Sequence, residues 1–351
     1  MRAYADAMKR EMVQYAEAAG DTIFDTVFFG GGTPSLLPVS AVAELLEKAN
    51  ALFRIEKDAE ITLEANPATA DEKKLKDLKS VGINRLSVGV QSLIDEELSY
   101  LGRLHSSRDA LSFLYKARNA GYDNINVDLM YGIPSQTVES AEKTLEEVIK
   151  FSPEHISAYS LIVEEGTPFY EKYGEGGPEE DLLPSEEDER HMYQRTEELL
   201  EEAGYHRYEI SNYAKEGREC QHNLGYWERK EYLGLGLGSS SLIRNARFKN
   251  CDDLKLYLEY SDDILQIREI DGALTSEEQM EEFVFLGMRK MEGISLKKFH
   301  ETFGKTLEEC YGIGIEKMKS KELVEIKNQM LRLTKKGIDV SNYVFAEILY
   351  E

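Results

Sequence analysis

Short β-forming runs alternate with amphipathic segments along the first half of the chain, and this alternation most constrains the fold. The β-forming runs cover residues 24–30, 60–66, 85–91, 125–132 and 155–162. The amphipathic segments between them cover residues 39–53, 70–81, 108–120 and 137–150. Segments of that length are long enough for right-handed crossover helices between parallel strands. The sequence therefore predicts an α/β fold that closes into a barrel or part of one.

Charge and cysteine content exclude several function classes. Lys and Arg total 42 against 66 Asp and Glu, so a net charge of −24 would repel a phosphate backbone, and we expect no nucleic-acid partner. No apolar run reaches membrane-spanning length and no signal peptide is evident, so we expect no transmembrane segment and a cytoplasmic location. Scattered cysteines at positions 220, 251 and 310 are typical of a reducing compartment.

The second half of the chain predicts a connector followed by a smaller domain. A helix over 186–203 and a strand-like run over 208–213 lead into the glycine-rich stretch 234–238. A predicted hairpin over 323–333 and a last helix resemble a winged-helix module. Its 12 basic and 14 acidic residues over 272–351 favour a packing or lid role over DNA binding. We expect three domains: a barrel over 1–170, a connector over 171–270 and a winged-helix-like domain over 271–351.

Polar residues follow the predicted strands where parallel strands of a barrel open onto a shared mouth. The glycines at 30–32 allow a sharp turn and close approach of a ligand, either as a simple βα turn or as a cradle for a carboxylate, amine or phosphate. Glu64 supplies an acceptor for a ribose hydroxyl or an ammonium group. Further donors and acceptors around the same mouth are Gln91, Arg103 and Asp128.

Five motifs carry a family resemblance. The segment FGGGTPS at 29–35 resembles the glycine motif of the oxygen-independent coproporphyrinogen oxidase family of radical-SAM proteins. Similar companions follow in order: EANP at 64–67, RLSVGVQS at 85–92, LGRLH at 101–105 and DLMYGIP at 128–134. The resemblance runs from about residue 4 to the carboxyl terminus and implies a (β/α)6 radical-SAM barrel. It also implies S-adenosylmethionine contacts by Gly31, Gly32, Thr33, Glu64, Gln91, Arg103 and Asp128.

A sixth motif distinguishes branches of that family. HNLGYW at 222–227 is similar to the HNxxYW signature of the haem-chaperone branch. An imidazole can ligate haem iron, so His222 is the candidate iron ligand; Tyr226 and Trp227 offer flat faces for a porphyrin, and Cys220 is a second candidate ligand. The alternative is a buried histidine beside two core aromatic residues. The resemblance implies a chaperone that delivers haem to an unidentified acceptor protein; the alternative function is an oxidase of porphyrin biosynthesis.

One departure bears on catalysis. The family holds a [4Fe–4S] cluster with a CxxxCxxC motif, and this sequence has no cysteine before Cys220. The cluster ligands are therefore absent from this chain, and we expect no radical catalysis from it. Residues 4–18 resemble the helix that follows the cluster loop in that family, so we expect the first barrel strand to be missing from this sequence. We favour truncation of the chain over a homologue that lacks the cluster. Without that neighbour, strand 24–30 is expected to expose an aggregation-prone edge.

Overall fold

A curled seven-stranded sheet forms the larger part of the computed structural model, which describes residues 1–349. Its strands are β1 (Ile23–Phe29), β2 (Arg54–Ala65), β3 (Arg85–Gln91), β4 (Ile125–Tyr131), β5 (His155–Ser160), β6 (His206–Glu209) and β7 (Asn212–Ala214). The order is β1-β2-β3-β4-β5-β7-β6, with the first five strands parallel and β7 antiparallel to both neighbours. These five parallel strands confirm the predicted partial barrel.

The first helix precedes β1, and the helices between successive parallel strands cover one face of the sheet. The helices of this part are α1 (Arg2–Ala19), α2 (Val39–Leu52), α3 (Glu72–Ser80), α4 (Asp95–Tyr100), α5 (Ser107–Asn119), α6 (Val138–Phe151), α7 (Pro168–Tyr173) and α8 (Glu186–Glu202). Capping boxes at Ser106 and Thr137 define the starts of α5 and α6. Each predicted crossover helix is therefore confirmed, with ends that differ by at most two residues.

Alternation along the strands gives the sheet one apolar and one polar face. Leu63, Leu86 and Val127 are completely buried in the core beneath the helices. On each strand, the residues that alternate with these apolar ones point to the opposite, inner face of the sheet. Arg85 and Asn126 lie on that inner face and are also buried. An inner face built from polar groups fits a barrel whose interior binds ligands more than one filled with aliphatic side chains.

The predicted connector contains a second sheet that sequence reasoning did not anticipate. It consists of β8 (Ser240–Ile243), β9 (Ala246–Asn250) and β10 (Arg268–Ala273), all antiparallel. The connector also contains α9 (Gln221–Trp227), α10 (Leu254–Tyr260) and α11 (Ile264–Ile267). The strand-like run at 208–213 is in fact the end of β6 and the start of β7. Strand β10 crosses the expected boundary at residue 270, and the three-domain division stays a prediction.

The carboxyl-terminal part combines helices with a three-stranded sheet of order β11-β13-β12. Its elements are α12 (Ser276–Gly287), β11 (Ile294–Ser295), α13 (Leu296–Phe303), α14 (Leu307–Ser320), β12 (Val324–Lys327), β13 (Met330–Leu333), α15 (Lys335–Asp339) and α16 (Ser341–Leu349). The predicted hairpin is confirmed, and it turns through Asn328 and Gln329 with φ of 51° and 62°. The predicted last helix is two helices. Within residues 1–349 no helix is long and apolar enough to span a bilayer.

A buried carboxylate attaches α1 to the second sheet. Glu11 accepts hydrogen bonds from the Gly236 N–H at 2.9 Å, the Asn250 amide at 2.6 Å and the Tyr257 hydroxyl at 2.5 Å. Gly236 has φ of 101°, and a Cβ there would lie 2.6 Å from the Tyr4 hydroxyl oxygen. The glycine-rich stretch 234–238 is thus a close-packed docking loop for α1.

Replacing Glu11 with Ala should strongly destabilise the fold, because the buried Gly236 N–H and Tyr257 hydroxyl would lose their acceptor and the Asn250 amide would lose one of its three. We expect the free energy of unfolding to fall by about 2–4 kcal/mol. Urea denaturation would measure the loss, with Glu17→Ala on the exposed side of the same helix as the control. Equal stability of the two variants would contradict the role assigned to Glu11.

Candidate functional site

A cavity of about 160 Å³ opens where the parallel strands end. Its wall consists of Gly32, Thr33, Pro34, Glu64, Ala65, Asn66, Ser87, Gly89, Gln91 and Asp128. The structure therefore brings together five of the seven residues predicted to contact S-adenosylmethionine. Gly31 lies next to the wall through its bond to Glu64, whereas Arg103 is not part of the wall.

The glycine loop after β1 forms one side of this cavity. Gly31 and Gly32 have φ of 77° and 64°, a conformation that glycine adopts without strain. The Gly31 N–H donates to Glu64 Oε2 at 3.1 Å. A Cβ on Gly30 would lie 2.7 Å from Phe28 Cε1 and 3.2 Å from Glu64 Oε1. These positions require glycine so that the backbone can approach the Glu64 carboxylate closely.

Gln91 ends β3 in a strained backbone conformation. Its φ is 69°, and the pairing of β3 with β4 shifts register between Gly89 and Gln91. Such a bulge reorients a side chain, and here the Gln91 Oε1 accepts a hydrogen bond from the Tyr159 hydroxyl at 3.2 Å. Strain of this kind is concentrated at functional sites.

Two carboxyl groups give the cavity its electrostatic character. Asn126 Nδ2 donates to Asp128 Oδ1 at 2.7 Å, while Ser87 lies 3.5 Å from the other oxygen. Desolvation raises the pKa of Asp128, and it raises the pKa of Glu64 as well, with the charge of Asp128 adding to the latter. A cationic ligand group would relieve the cost of holding both charges in one cavity.

Five residues of the cavity wall were not among the predicted contacts, namely Pro34, Ala65, Asn66, Ser87 and Gly89. Ser87 and Gly89 precede Gln91 by four and two residues on the same strand. A period of two places them on the same face, so the signal was present in the sequence.

The helix that carries His222 packs against the inner face of the sheet, away from the cavity wall. His222 Nδ1 lies 2.8 Å from Thr26 Oγ1, and its Nε2 lies 3.0 Å from the Tyr226 hydroxyl. The imidazole stacks on the Phe28 ring at a centroid distance of 4.8 Å. Burial, aided by the charge of Arg85, lowers the pKa of His222 to about 4. The ring is therefore neutral at pH 7, with both nitrogens hydrogen-bonded.

The other predicted haem contacts lie in different surroundings. Cys220 is fully buried with its sulfur 3.6 Å from Glu60, and burial raises the pKa of its thiol to about 11. Trp227 lies on another side of α9, where the Arg289 guanidinium stacks over its ring at 4.5 Å. The predicted haem contacts of these residues stay predictions.

The cysteines of this chain do not fit a [4Fe–4S] cluster. Cys220 and Cys251 are buried, Cys310 belongs to the carboxyl-terminal core, and none lines the cavity. Among residues 1–349 no cluster of three or more His, Cys, Asp or Glu side chains could hold a metal ion.

Comparison with known proteins identifies two family domains and full-length relatives. The Radical SAM superfamily model matches residues 4–148, and the HemN C-terminal domain model matches residues 274–340. The heme chaperone HemW of Bacillus subtilis is 36% identical over 99% of this chain and 91% of its own length. HemW of Lactococcus lactis is 33% identical over 93% of this chain and 85% of its own.

A solved structure has the same fold. Coproporphyrinogen III oxidase (HemN) from Escherichia coli, described as a radical SAM enzyme, superposes with a TM-score of 0.84 and 22% identity. The match covers 99% of this chain and 82% of that one. At this identity the likeness establishes the fold, including the curled sheet and the helical carboxyl-terminal part.

The buried His222 should make stability depend on pH. Its folded pKa of about 4 lies below the unfolded value of about 6.5. Between pH 4 and 6.5 this histidine is therefore protonated in the unfolded chain but neutral in the folded protein. The free energy of unfolding should fall as the pH drops from 6.5 to 4. In His222→Gln, urea denaturation should give a slope shallower by about 1 kcal/mol per pH unit.

His206→Gln is the matched control, because the His206 side chain is 46% exposed. If the unfolding free energy of His222→Gln depends on pH as steeply as that of the wild type, the pKa of His222 is not lowered by burial.

Proposed function

Because this chain belongs to the HemW family of radical-SAM proteins, we propose that it is a haem chaperone that binds haem and transfers it to an acceptor protein. The observation that carries this proposal is the 36% identity with the Bacillus subtilis heme chaperone over 99% of the chain. The HNLGYW motif on α9 supports it. The oxidase alternative rests on the fold likeness to HemN and on the match of the HemN C-terminal domain model to residues 274–340.

Haem coordination by His222 would require an exchange of hydrogen bonds. The imidazole is already neutral at pH 7, since its pKa is about 4, so coordination does not require the loss of a proton from an imidazolium. Its Nε2 is instead occupied by the Tyr226 hydroxyl at 3.0 Å. In this proposal an iron ion replaces that hydroxyl, and the Thr26 bond to Nδ1 keeps the ring oriented, as partners of the second nitrogen do in metal sites.

The cavity at the strand ends suits S-adenosylmethionine, which the radical-SAM family implies. Its sulfonium and ammonium groups are cationic, and Glu64 and Asp128 supply the complementary charge. The open backbone at Gly31 and Gly32 admits a carboxylate or a ribose. The residues of this chain would bind and orient the cofactor.

Haem binding tests the proposed function. Titration of the full chain with haem should shift the Soret band, and His222→Ala should weaken binding roughly tenfold or more. Tyr226→Phe removes the hydroxyl that competes for Nε2 but keeps the ring, so its affinity should equal or exceed that of the wild type. His206→Ala is the control for loss of an exposed imidazole.

Absence of a Soret shift with wild-type protein would overturn the chaperone function. A wild-type spectrum and affinity in His222→Ala would leave haem binding intact and remove His222 as the ligand.

Cofactor binding is tested by calorimetry with S-adenosylmethionine. Glu64→Gln retains the shape of the side chain but loses its charge, and we expect the affinity to fall roughly tenfold. Glu56→Gln changes an exposed carboxylate on the same strand and should leave the affinity unchanged. Equal affinities of both variants and wild type would contradict the assigned role of Glu64.

A further inference from the structure

Three buried polar side chains connect the cavity at the strand ends to the start of α9. Asn126 lies on β4, His155 on β5 and Tyr208 on β6, and all three are buried. His155 Nδ1 lies 2.6 Å from Asn126 Oδ1, and His155 Nε2 lies 2.7 Å from the Tyr208 hydroxyl oxygen. We refer to these three side chains as the relay. The cofactor and haem contacts proposed above use none of them.

The two ends of the relay have fixed hydrogen-bonding roles. At one end, the Cys220 backbone N–H donates to the Tyr208 hydroxyl oxygen at 3.4 Å, and Cys220 is the residue that precedes the first turn of α9. At the other end, Asn126 Nδ2 donates to Asp128 Oδ1 at 2.7 Å. A backbone N–H can only donate, and an ionised carboxylate can only accept.

These ends determine the direction of every bond between them. Because Asn126 directs its amide nitrogen to Asp128, its oxygen accepts from the Nδ1–H of His155. Burial holds the pKa of His155 well below its usual range, so the ring is neutral and carries a single N–H. His155 Nε2 therefore accepts from the Tyr208 hydroxyl. The Tyr208 oxygen keeps its lone pairs for the start of α9.

An uncharged group in place of the Asp128 carboxylate permits the opposite direction. An amide or a protonated carboxyl group can donate to Asn126 Oδ1, in which case Asn126 donates to His155 Nδ1 and the Nε2–H of His155 donates to Tyr208. The Tyr208 hydroxyl hydrogen then loses the His155 nitrogen as its acceptor. Since bonds in a hydrogen-bonded chain polarise one another, this reversal weakens the bond that holds the start of α9. The relay therefore has two discrete arrangements.

We propose that His155 is a positioning residue that couples Asp128 in the cavity to the start of α9, so that the charge of this carboxylate alters haem binding by His222. Cationic cofactor groups beside Asp128 stabilise its charge and, with it, the arrangement that holds α9. Two sites that bias one two-state element are coupled reciprocally. Haem as the ligand of α9 rests on the proposed function, whereas the direction of the relay follows from its hydrogen bonds.

Haem titration of the full chain tests this coupling. Asp128→Asn should lower the haem affinity roughly fivefold, although Asp128 is separated from α9 by the relay. Tyr208→Phe retains the ring but removes the relay hydroxyl, and in that background Asp128→Asn should have no further effect. Asp123→Asn, at a carboxylate before β4 that is 78% exposed, is the control for loss of one charge and should match the wild type. Additive losses in the double variant, or a wild-type affinity in Asp128→Asn, would overturn the coupling.

A measurement without haem separates the coupling from the haem-chaperone function. Heteronuclear NMR spectra of the wild type should show His155 as the neutral Nδ1–H tautomer. Asp128→Asn should populate the Nε2–H tautomer and shift the imidazole resonances of His222, and Tyr208→Phe should remove the shift at His222. An Nε2–H tautomer in the wild type, or His222 resonances unaffected by Asp128→Asn, would overturn the coupling even where haem binds. These shifts without any haem binding would reject the haem-chaperone function and retain the coupling of Asp128 to α9.

Discussion

The Glu60 carboxylate, on the inner face of β2, determines where α9 lies. Its two oxygens accept hydrogen bonds from the backbone N–H groups of His222 and Gln221, both at 3.2 Å, and it lies 3.8 Å from Arg85 Nε. A buried anion is tolerated only with such compensation. Because these bonds fix the first turn of α9, they also fix the His222 ring against Phe28 and Thr26.

The polar inner face connects this helix to the cavity at the strand ends. His155 Nδ1 lies 2.6 Å from Asn126 Oδ1, and the amide nitrogen of Asn126 donates to Asp128 at 2.7 Å. At the other end, His155 Nε2 lies 2.7 Å from the Tyr208 hydroxyl, which accepts a bond from the Cys220 N–H at 3.4 Å. One hydrogen-bonded chain therefore joins the start of α9 to a carboxylate of the cavity wall. Each group between the two ends of this chain must donate to one neighbour and accept from the other for all of the hydrogen bonds to form.

The sequence predicts best those elements and site residues whose placement depends on a single local requirement. Strands β3 to β5 and their helices follow from apolar periodicity, and the strand-end residues Glu64, Gln91 and Asp128 follow from the geometry of parallel sheets. The second sheet could not be predicted, because its close packing against α1 depends on Glu11. A glutamate on an amphipathic helix is normally exposed, and only the distant donor at Gly236 explains its burial. Long-range partners of this kind leave no local pattern.

The HNLGYW motif joins two parts of the molecule. Residues four apart on a helix are neighbours, as the His222–Tyr226 bond shows, whereas residues five apart point in directions that differ by about 140°. Trp227 therefore contacts Arg289 and the carboxyl-terminal part while His222 contacts the barrel.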